Sequence, residues 1–211
     1  MIDPFELSKT VIVGNGDFPT ATLPLSAIDN AKMIVACDGA ADTLINHGVT
    51  PDLVIGDGDS LSPLLRIQLG NRFILAENQE INDLTKSIRY CADNLNVNYF
   101  SIVGATGKRE DHTIGNISPL IDYMHSGINA AMLTDYGCYI PCTETSEFRS
   151  FPNQQISVFN FSSSDFSSDG LVYPLHRLTS WWQGTLNEAL SDSFEIHADG
   201  DYIVFFSYLP K

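Results

Sequence analysis

Short apolar runs alternate with helical patterns through the first two thirds of the chain. The runs cover residues 11–13, 33–36, 53–55, 73–75, 99–103 and 131–133. Continuous apolar strands separated by helices are typical of a parallel sheet that is covered on both faces. We therefore predict an α/β fold, with an open, mainly parallel sheet in an N-terminal domain of residues 1–143.

Two of the predicted helices have readable starts. Ser62 followed by Pro63 is typical of an N-cap with proline at the first helical position. Asn82 can cap a second helix, with Asp83 in its first turn and Lys86 on the same face. The apolar stripe of that helix comprises Leu84, Ile88, Cys91 and Leu95. A further helical pattern covers residues 113–126 but contains Pro119, so either the helix kinks there or a new helix starts at Ser118.

The pattern changes to period two beyond residue 143. Residues 156–161 and 193–197 alternate, and residues 202–206 form a run of strand formers. This predicts a small antiparallel β-sandwich over residues 144–211. A unit of that size is marginally stable alone, so we expect it to pack on the first domain or on a second chain. Trp181 and Trp182 are interpreted as packing or interface residues.

Charge and composition exclude several classes of protein. The chain has 211 residues and a formal charge of −15, which disfavours nucleic-acid binding because that function needs a clustered basic surface. No apolar stretch is long enough to span a membrane and the start lacks a signal-peptide pattern, so the cytoplasm is the expected location. Scattered cysteines predict free thiols, and none of His125, His176 and His197 has a clustered partner in the sequence, so we interpret these histidines as surface or core residues.

Acidic residues just past the apolar runs carry the candidate chemistry. They are Asp38, Asp57, Asp59, Asp83 and Asp111. Ligands bind outside the carboxyl ends of the strands in open parallel sheets, and Mg²⁺ prefers carboxylates and phosphate oxygens. The pattern indicates a site for a magnesium-bound polyphosphate. The alternative for residues 56–60 is a hydrophilic turn in which Ser60 or Ser62 caps a helix.

The polar loop of residues 104–112 is a second candidate. Its glycines would allow close approach of the backbone to a phosphate, and Arg109 offers a fork of donors that matches phosphate oxygens. Asp111 and His112 could contact a metal, a nucleotide or a transferred proton. The alternative is a loop in which Arg109 pairs with Glu110 or Asp111. The loop lacks the Lys-Ser/Thr pair of a P-loop.

In order along the chain, these segments resemble the motifs of one enzyme family. The segments are Asp38-Gly39-Ala40; Pro51-Asp52 leading to Gly56-Asp57-Gly58-Asp59-Ser60; Gln79, Asn82-Asp83 and Lys86; Gly107-Lys108-Arg109-Glu110-Asp111-His112 with Asn116; and Gly170-Leu171-Val172-Tyr173 with Leu186-Asn187-Glu188. Their order over nearly the whole length is similar to that of the thiamine pyrophosphokinase family. The departures are Ala40 for a glycine, Gly58 for an aromatic residue, Asn82 for a threonine, Lys108 for a glycine and Leu186 for a serine.

The resemblance implies transfer of pyrophosphate from ATP to the hydroxyl of thiamine, which gives thiamine diphosphate and AMP and requires Mg²⁺. It implies metal ligands at Asp38, Asp57, Asp59 and Asp83, with Lys86 and Arg109 as phosphate-binding catalytic residues. The implied ATP contacts are Gly39, Lys86, Arg109, Asp111, His112 and Asn116, and the implied thiamine contacts are Gln79, Asp83, Tyr173, Thr185 and Asn187. It also implies a homodimer through the C-terminal domain. The rival hypotheses are a nucleotide sensor without turnover, a metal-dependent phosphohydrolase, and a pyrophosphokinase for another alcohol.

Overall fold

The computed structural model describes residues 1–211, which divide into two compact units. The N-terminal unit contains Leu7–Pro119 and Ser126–Asp135, and the C-terminal unit contains Met1–Glu6, Leu120–His125 and Tyr136–Lys211. The strand Gly137–Thr143 therefore belongs to the C-terminal unit, although the sequence placed the domain boundary after residue 143. None of the helices has both the length and the apolar character that a membrane span requires.

The N-terminal unit is built on six strands. They are β1 (Thr10–Val13), β2 (Met33–Cys37), β3 (Leu53–Gly56), β4 (Phe73–Leu75), β5 (Tyr99–Val103) and β6 (Asn129–Leu133). All neighbouring pairs run parallel, in the order β6-β5-β1-β2-β3-β4. This confirms the mainly parallel sheet. The order reverses between β1 and β5, and ligands bind at such a switch point in open α/β sheets.

Helices α1 (Thr22–Asp29), α2 (Ala40–Asn46), α3 (Pro63–Leu69), α4 (Asp83–Leu95) and α5 (Glu110–Ile117) belong to the same unit. The predicted cap of α4 is confirmed, because Asn82 Oδ1 accepts a hydrogen bond of 2.9 Å from the Thr85 N–H. Leu84, Ile88 and Cys91 of its predicted stripe are buried, while Leu95 is exposed. Ser62 occupies the N-cap position of α3, but its hydroxyl donates to Asp42 Oδ1 at 2.6 Å instead of capping.

The helical pattern of residues 113–126 is interrupted between two separate helices. α5 ends at Ile117, and α6 (Leu120–His125) belongs to the C-terminal unit. Pro119 has no N–H to donate to the carbonyl of Gly115 four residues earlier, so the helix cannot continue through it. Of the two predicted alternatives, a new helix describes the structure better than a kink, although that helix starts at Leu120 and not at Ser118.

The C-terminal unit is an antiparallel sandwich, as the sequence predicted. Its strands are β7 (Gly137–Thr143), β8 (Ser146–Arg149), β9 (Gln154–Asn160), β10 (Phe166–Asp169), β11 (Gly184–Glu188), β12 (Ser193–Ala198) and β13 (Asp201–Pro210). Within this unit, four strands are hydrogen-bonded in the order β11-β9-β13-β7, and the other three form a sheet with the order β10-β12-β8. Aromatic rings of the two sheets meet in the core, with centroid distances of 5.4 Å for Phe148 and Phe206 and 5.7 Å for Phe166 and Tyr202.

Two histidines of this unit have partners that the sequence did not reveal. His125 Nε2 lies 3.0 Å from Asp201 Oδ2, and His197 Nε2 lies 3.0 Å from Asp169 Oδ2. The prediction that these two histidines lack partners is therefore wrong. The sequence did not reveal the pairs because their members are 76 and 28 residues apart in the chain. The four cysteines are all buried free thiols.

Candidate active site

Three of the predicted carboxylates converge at the carboxyl ends of neighbouring strands. Asp38 directly follows β2, and Asp57 and Asp59 directly follow β3. One oxygen of each lies within 4.8 Å of one oxygen of the others. We call these three residues the aspartate cluster. Parallel pairing of β2 with β3 brings them together, because it sets the ends of both strands at one edge of the sheet.

Asp38 is the buried member of the aspartate cluster. Its Oδ2 accepts a hydrogen bond of 2.9 Å from the Ser60 N–H, whereas its buried Oδ1 has no hydrogen-bond partner. Burial, followed by the charges of Asp83, Asp57 and Asp59, raises the pKa of this carboxyl above its ordinary value. An unpartnered buried carboxylate oxygen is unfavourable, which makes the position suitable for a cation.

The backbone around Asp38 is shaped to hold its carboxylate in place. Asp38 has a φ of 43°, in the left-handed region that Asp tolerates better than most residues. A Cβ added at Gly56 would lie 2.6 Å from the Asp38 Cβ and 3.0 Å from its Oδ1. Gly56 therefore provides the space that this carboxylate occupies.

Asp57 is held in its ionised form by its neighbours. Gln79 Nε2 donates to Asp57 Oδ2 at 2.9 Å, and the Asp59 N–H points at Asp57 Oδ1 from 3.3 Å. These hydrogen bonds, chiefly that of Gln79, lower the pKa of the Asp57 carboxyl, and the Lys86 charge adds to this. The amide of Gln79, predicted from the resemblance to contact thiamine, is thus engaged with a member of the aspartate cluster.

Asp83 and Lys86 form an ion pair in the first turn of α4. Lys86 Nζ lies 2.8 Å from Asp83 Oδ1, and the Lys86 side chain is only 5% exposed. Asp83 is not a member of the aspartate cluster, but it acts on the cluster through its charge, which contributes to the raised pKa of Asp38. Lys86 is thus a buried positive charge that contributes to the lowered pKa of Asp57 in the aspartate cluster.

Loops after β1 and β5 pack against each other at the switch point. The Gly16 N–H donates to Gly104 O at 2.6 Å, and Lys108 Nζ donates to Asn15 O at 2.9 Å. A Cβ at Gly39 would lie 2.7 Å from Asn15 Nδ2, so the start of α2 also approaches this region closely. Residues 14–17 form the bend that directly follows β1.

Arg109 pairs with Asp111, as in the alternative interpretation of this loop. Arg109 Nη2 lies 2.6 Å from Asp111 Oδ2, and Arg109 Nε donates to Oδ1 at 3.1 Å. The pairing raises the pKa of Arg109 and lowers that of Asp111 to about 2. Both side chains are exposed, at 72% and 63%, and His112 is exposed beside them. A phosphate can therefore reach the guanidinium from solvent.

Asn116 is engaged with the protein at both ends of its amide. Its Nδ2 donates to Ala105 O at 2.8 Å, and its Oδ1 accepts from Asn82 Nδ2 at 3.0 Å. The structure thus gives this predicted ATP contact a bridging position between α4 and the loop after β5. Gly56, Ser60 and Asn82 support the site without having been predicted as site residues. All three stand in the segments that carry the family resemblance, and that was the signal available in the sequence.

The predicted thiamine contacts of the C-terminal unit lie around β11. Asn187 is buried, and its amide spans the backbone of Tyr173, accepting from the N–H at 3.1 Å and donating to the carbonyl at 2.6 Å. The Tyr173 side chain is 62% exposed and Thr185 is half-buried. Leu186 has a φ of 62° at a register shift of β11 and is 81% exposed. Asn187 therefore supports the backbone that presents Tyr173.

The donor set of the aspartate cluster fits a hard divalent cation. All of its ligand atoms are carboxylate oxygens, and the buried Asp38 Oδ1 has no hydrogen-bond donor in the protein, which suits a ligand of a cation. Soft metals prefer thiolates, and the nearby Cys37 is buried, with its pKa raised to about 12 by burial. Mg²⁺ is the cation that suits oxygen ligands next to a phosphate.

Comparison with known proteins decides the family. Residues 25–132 match the family description "Thiamin pyrophosphokinase, catalytic domain", and residues 137–205 match "Thiamin pyrophosphokinase, substrate-binding domain". The chain belongs to the thiamin pyrophosphokinase family. Thiamine pyrophosphokinase 1 of Oryza sativa subsp. japonica is 26% identical in an alignment that covers 83% of this chain and 78% of that protein. The motif resemblance is thereby confirmed.

Solved structures of the thiamin pyrophosphokinase family share the fold. The family protein from Enterococcus faecalis has a TM-score of 0.78 at 18% identity, covering 96% of this chain and 100% of that one. Thiamin pyrophosphokinase from Candida albicans has a TM-score of 0.78 at 17% identity, covering 98% of this chain and 92% of that one. At these identities the likeness concerns the fold, whereas the two domain matches establish the family.

Proposed function

We propose that this chain transfers a pyrophosphoryl group from ATP to the hydroxyl of thiamine, giving thiamine diphosphate and AMP, with Mg²⁺ as the required metal. The aspartate cluster, with its unpartnered buried oxygen, carries the proposal, and membership of the thiamin pyrophosphokinase family supplies the reaction. The charge of −15 supports the metal requirement, because ATP is itself an anion and needs local neutralisation.

The proposed metal ligands are Asp57, Asp59 and Asp38, with Asp83 as a further ligand candidate. When bound, Mg²⁺ supplies charge neutralisation at the phosphate oxygens. Gln79 orients Asp57 for this role through the hydrogen bond to its Oδ2. Asp38 closes the buried side of the cluster.

Lys86 and Arg109 are proposed to bind the phosphates. Lys86 is buried and preorganised by Asp83, whereas the exposed Arg109 can exchange Asp111 for a phosphate. Gly39, Asp111, His112 and Asn116 are proposed to surround the nucleotide, with Asn116 acting through the loop after β5. The thiamine hydroxyl oxygen forms a bond to the β-phosphorus, the bond from that phosphorus to the bridging α–β oxygen breaks, and AMP leaves. The hydroxyl proton passes to a nearby carboxylate or to water, since such transfers rely chiefly on positioning and electrostatics.

The C-terminal unit is proposed to bind thiamine and to form a homodimer. Tyr173 and Thr185 are its proposed thiamine contacts. The exposed fractions of Trp181, Trp182 and Leu186 are 56%, 59% and 81%, and a group of large apolar side chains left in solvent is typical of an interface. Light scattering tests the proposed dimer, and a molar mass of one chain at micromolar concentration would contradict it. Four free buried cysteines support the cytoplasm as the proposed location.

The decisive experiment is incubation with ATP, Mg²⁺ and thiamine, followed by separation of the nucleotides. We expect AMP and thiamine diphosphate in equal amounts. ADP or free phosphate instead would favour a phosphohydrolase, and ATP binding without turnover would favour the sensor. Asp57→Asn combined with Asp59→Asn should lower activity by orders of magnitude while thermal unfolding shows an intact fold.

A further inference from the structure

A chain of side-chain hydrogen bonds connects the start of α4 to the loop after β5. Asn82 Oδ1 accepts from the Thr85 N–H at 2.9 Å, and Asn82 Nδ2 donates to Asn116 Oδ1 at 3.0 Å. Asn116 Nδ2 then donates to Ala105 O at 2.8 Å. We call this chain the asparagine bridge. It joins the helix that carries Asp83 and Lys86 to the loop that leads to Arg109.

Backbone groups at both ends determine how the two amides are oriented. The Thr85 N–H can only donate, so it requires the oxygen of Asn82. The Ala105 carbonyl can only accept, so it requires the nitrogen of Asn116. The remaining ends, Asn82 Nδ2 and Asn116 Oδ1, then face each other as donor and acceptor. Turning over either amide would break two hydrogen bonds, so the bridge has one stable arrangement.

The asparagine bridge also contacts the Gly115 carbonyl, which has no N–H donor four residues later in the chain. Pro119 has no N–H for the carbonyl of Gly115, and that carbonyl lies 3.4 Å from Asn82 Nδ2. The last turn of α5 is therefore held by Asn82 through both Gly115 and Asn116. Because α5 begins directly after Arg109, holding its last turn restricts where its first turn can lie.

We propose that Asn82 is a positioning residue, which sets Arg109 relative to Asp83 and Lys86 through the asparagine bridge. This inference rests on the proposed function, because it assigns Arg109 to a phosphate of the bound nucleotide. A helix cap alone would not need an amide, since serine or threonine caps a helix about as well. The amide is what reaches α5 while its oxygen caps α4.

The test separates the cap from the bridge. Asn82→Thr keeps a capping oxygen and removes the amide, and Asn94→Thr makes the same change on an exposed residue at the other end of α4. Both are made in the wild-type and Arg109→Ala backgrounds. Binding of a non-hydrolysable ATP analogue with Mg²⁺ is measured by calorimetry, with thermal unfolding as a fold control.

Positioning predicts that the effect of Asn82→Thr depends on Arg109. We expect the analogue to bind about tenfold more weakly with Arg109 present, and less than about threefold more weakly in Arg109→Ala. Asn94→Thr should change binding in neither background. Equal losses in the two backgrounds, or unchanged binding in Asn82→Thr, would overturn the proposal. If Asn82→Thr fails to fold, Asn116→Ala breaks the same bridge with the cap retained and must show the same dependence on Arg109.

Failure of the proposed function gives a different result. If wild-type protein binds the analogue but forms no AMP with ATP and thiamine, the proposed reaction is wrong. The dependence of the Asn82→Thr effect on Arg109 still tests the positioning role of Asn82 in that case. Wild-type protein that does not bind the analogue overturns both.

Discussion

Replacing Asp38 by asparagine should stabilise the metal-free protein while it removes activity. Two unit charges 4.8 Å apart repel by about 3 kcal/mol at an effective dielectric constant near 20. Asp38 faces Asp57 and Asp59, but the exposure of Asp59 and screening by salt reduce the sum. We expect a net gain of about 2 kcal/mol, which corresponds to about 4–8 °C in Tm for a chain of this size.

The pH dependence has a definite sign. The pKa of Asp38 is raised in the folded state, chiefly by burial, so ionisation destabilises the metal-free protein. The gain in Tm of Asp38→Asn over the wild type should be fully present above the folded pKa of Asp38 and should disappear as the pH falls below the ordinary pKa of a carboxyl. Asparagine tolerates the φ of 43° as aspartate does, so no backbone strain is added.

The assay is thermal unfolding at pH 8, with EDTA or with Mg²⁺. Asp42→Asn is the matched control, because Asp42 accepts from both the N–H and the hydroxyl of Ser62, at 2.9 and 2.6 Å. That variant should lower Tm, since the two bonds go to different carboxylate oxygens and an amide replaces one of these charge-assisted acceptors with an NH2 group. A lower Tm of Asp38→Asn in EDTA, or an equal gain from Mg²⁺ in this variant and the wild type, would refute the reasoning.

Three further changes test separate parts of the structure. Gly56→Ala should lower activity at least tenfold and also lower Tm, because its Cβ would displace the Cβ and the carboxylate of Asp38; unchanged kcat/KM would contradict this. Gln79→Met should raise the Mg²⁺ concentration needed for half-maximal activity, because the Asp57 carboxylate loses the hydrogen bond of 2.9 Å that orients it; an unchanged metal titration would show otherwise. Asp199→Asn should lower Tm at pH 7, and this loss should shrink as the pH falls from the ordinary carboxyl value through the folded pKa, because hydrogen bonds from Ser164 and Ser163 hold the pKa of Asp199 well below its ordinary range; a loss independent of pH would exclude this cause.

Local pattern determined the elements and the contents of the loops. The apolar runs predicted the parallel strands, and Asn82 predicted the start of α4, because strand and helix periods and caps depend on residues close in sequence. The position of acidic residues just after β2 and β3 predicted that they would converge, since parallel neighbours end at the same edge.

Only the tertiary structure decided which groups become partners. His125 pairs with a carboxylate 76 residues away, and His197 pairs with one 28 residues away. Asp38 Oδ1 is left without a partner, and Asn82 reaches past its cap to Asn116. Periodicity reports which face of an element is buried, whereas a hydrogen bond or a pKa shift depends on distances of a few ångströms between distant segments. Those distances follow from the order and register of the strands, which no local pattern determines.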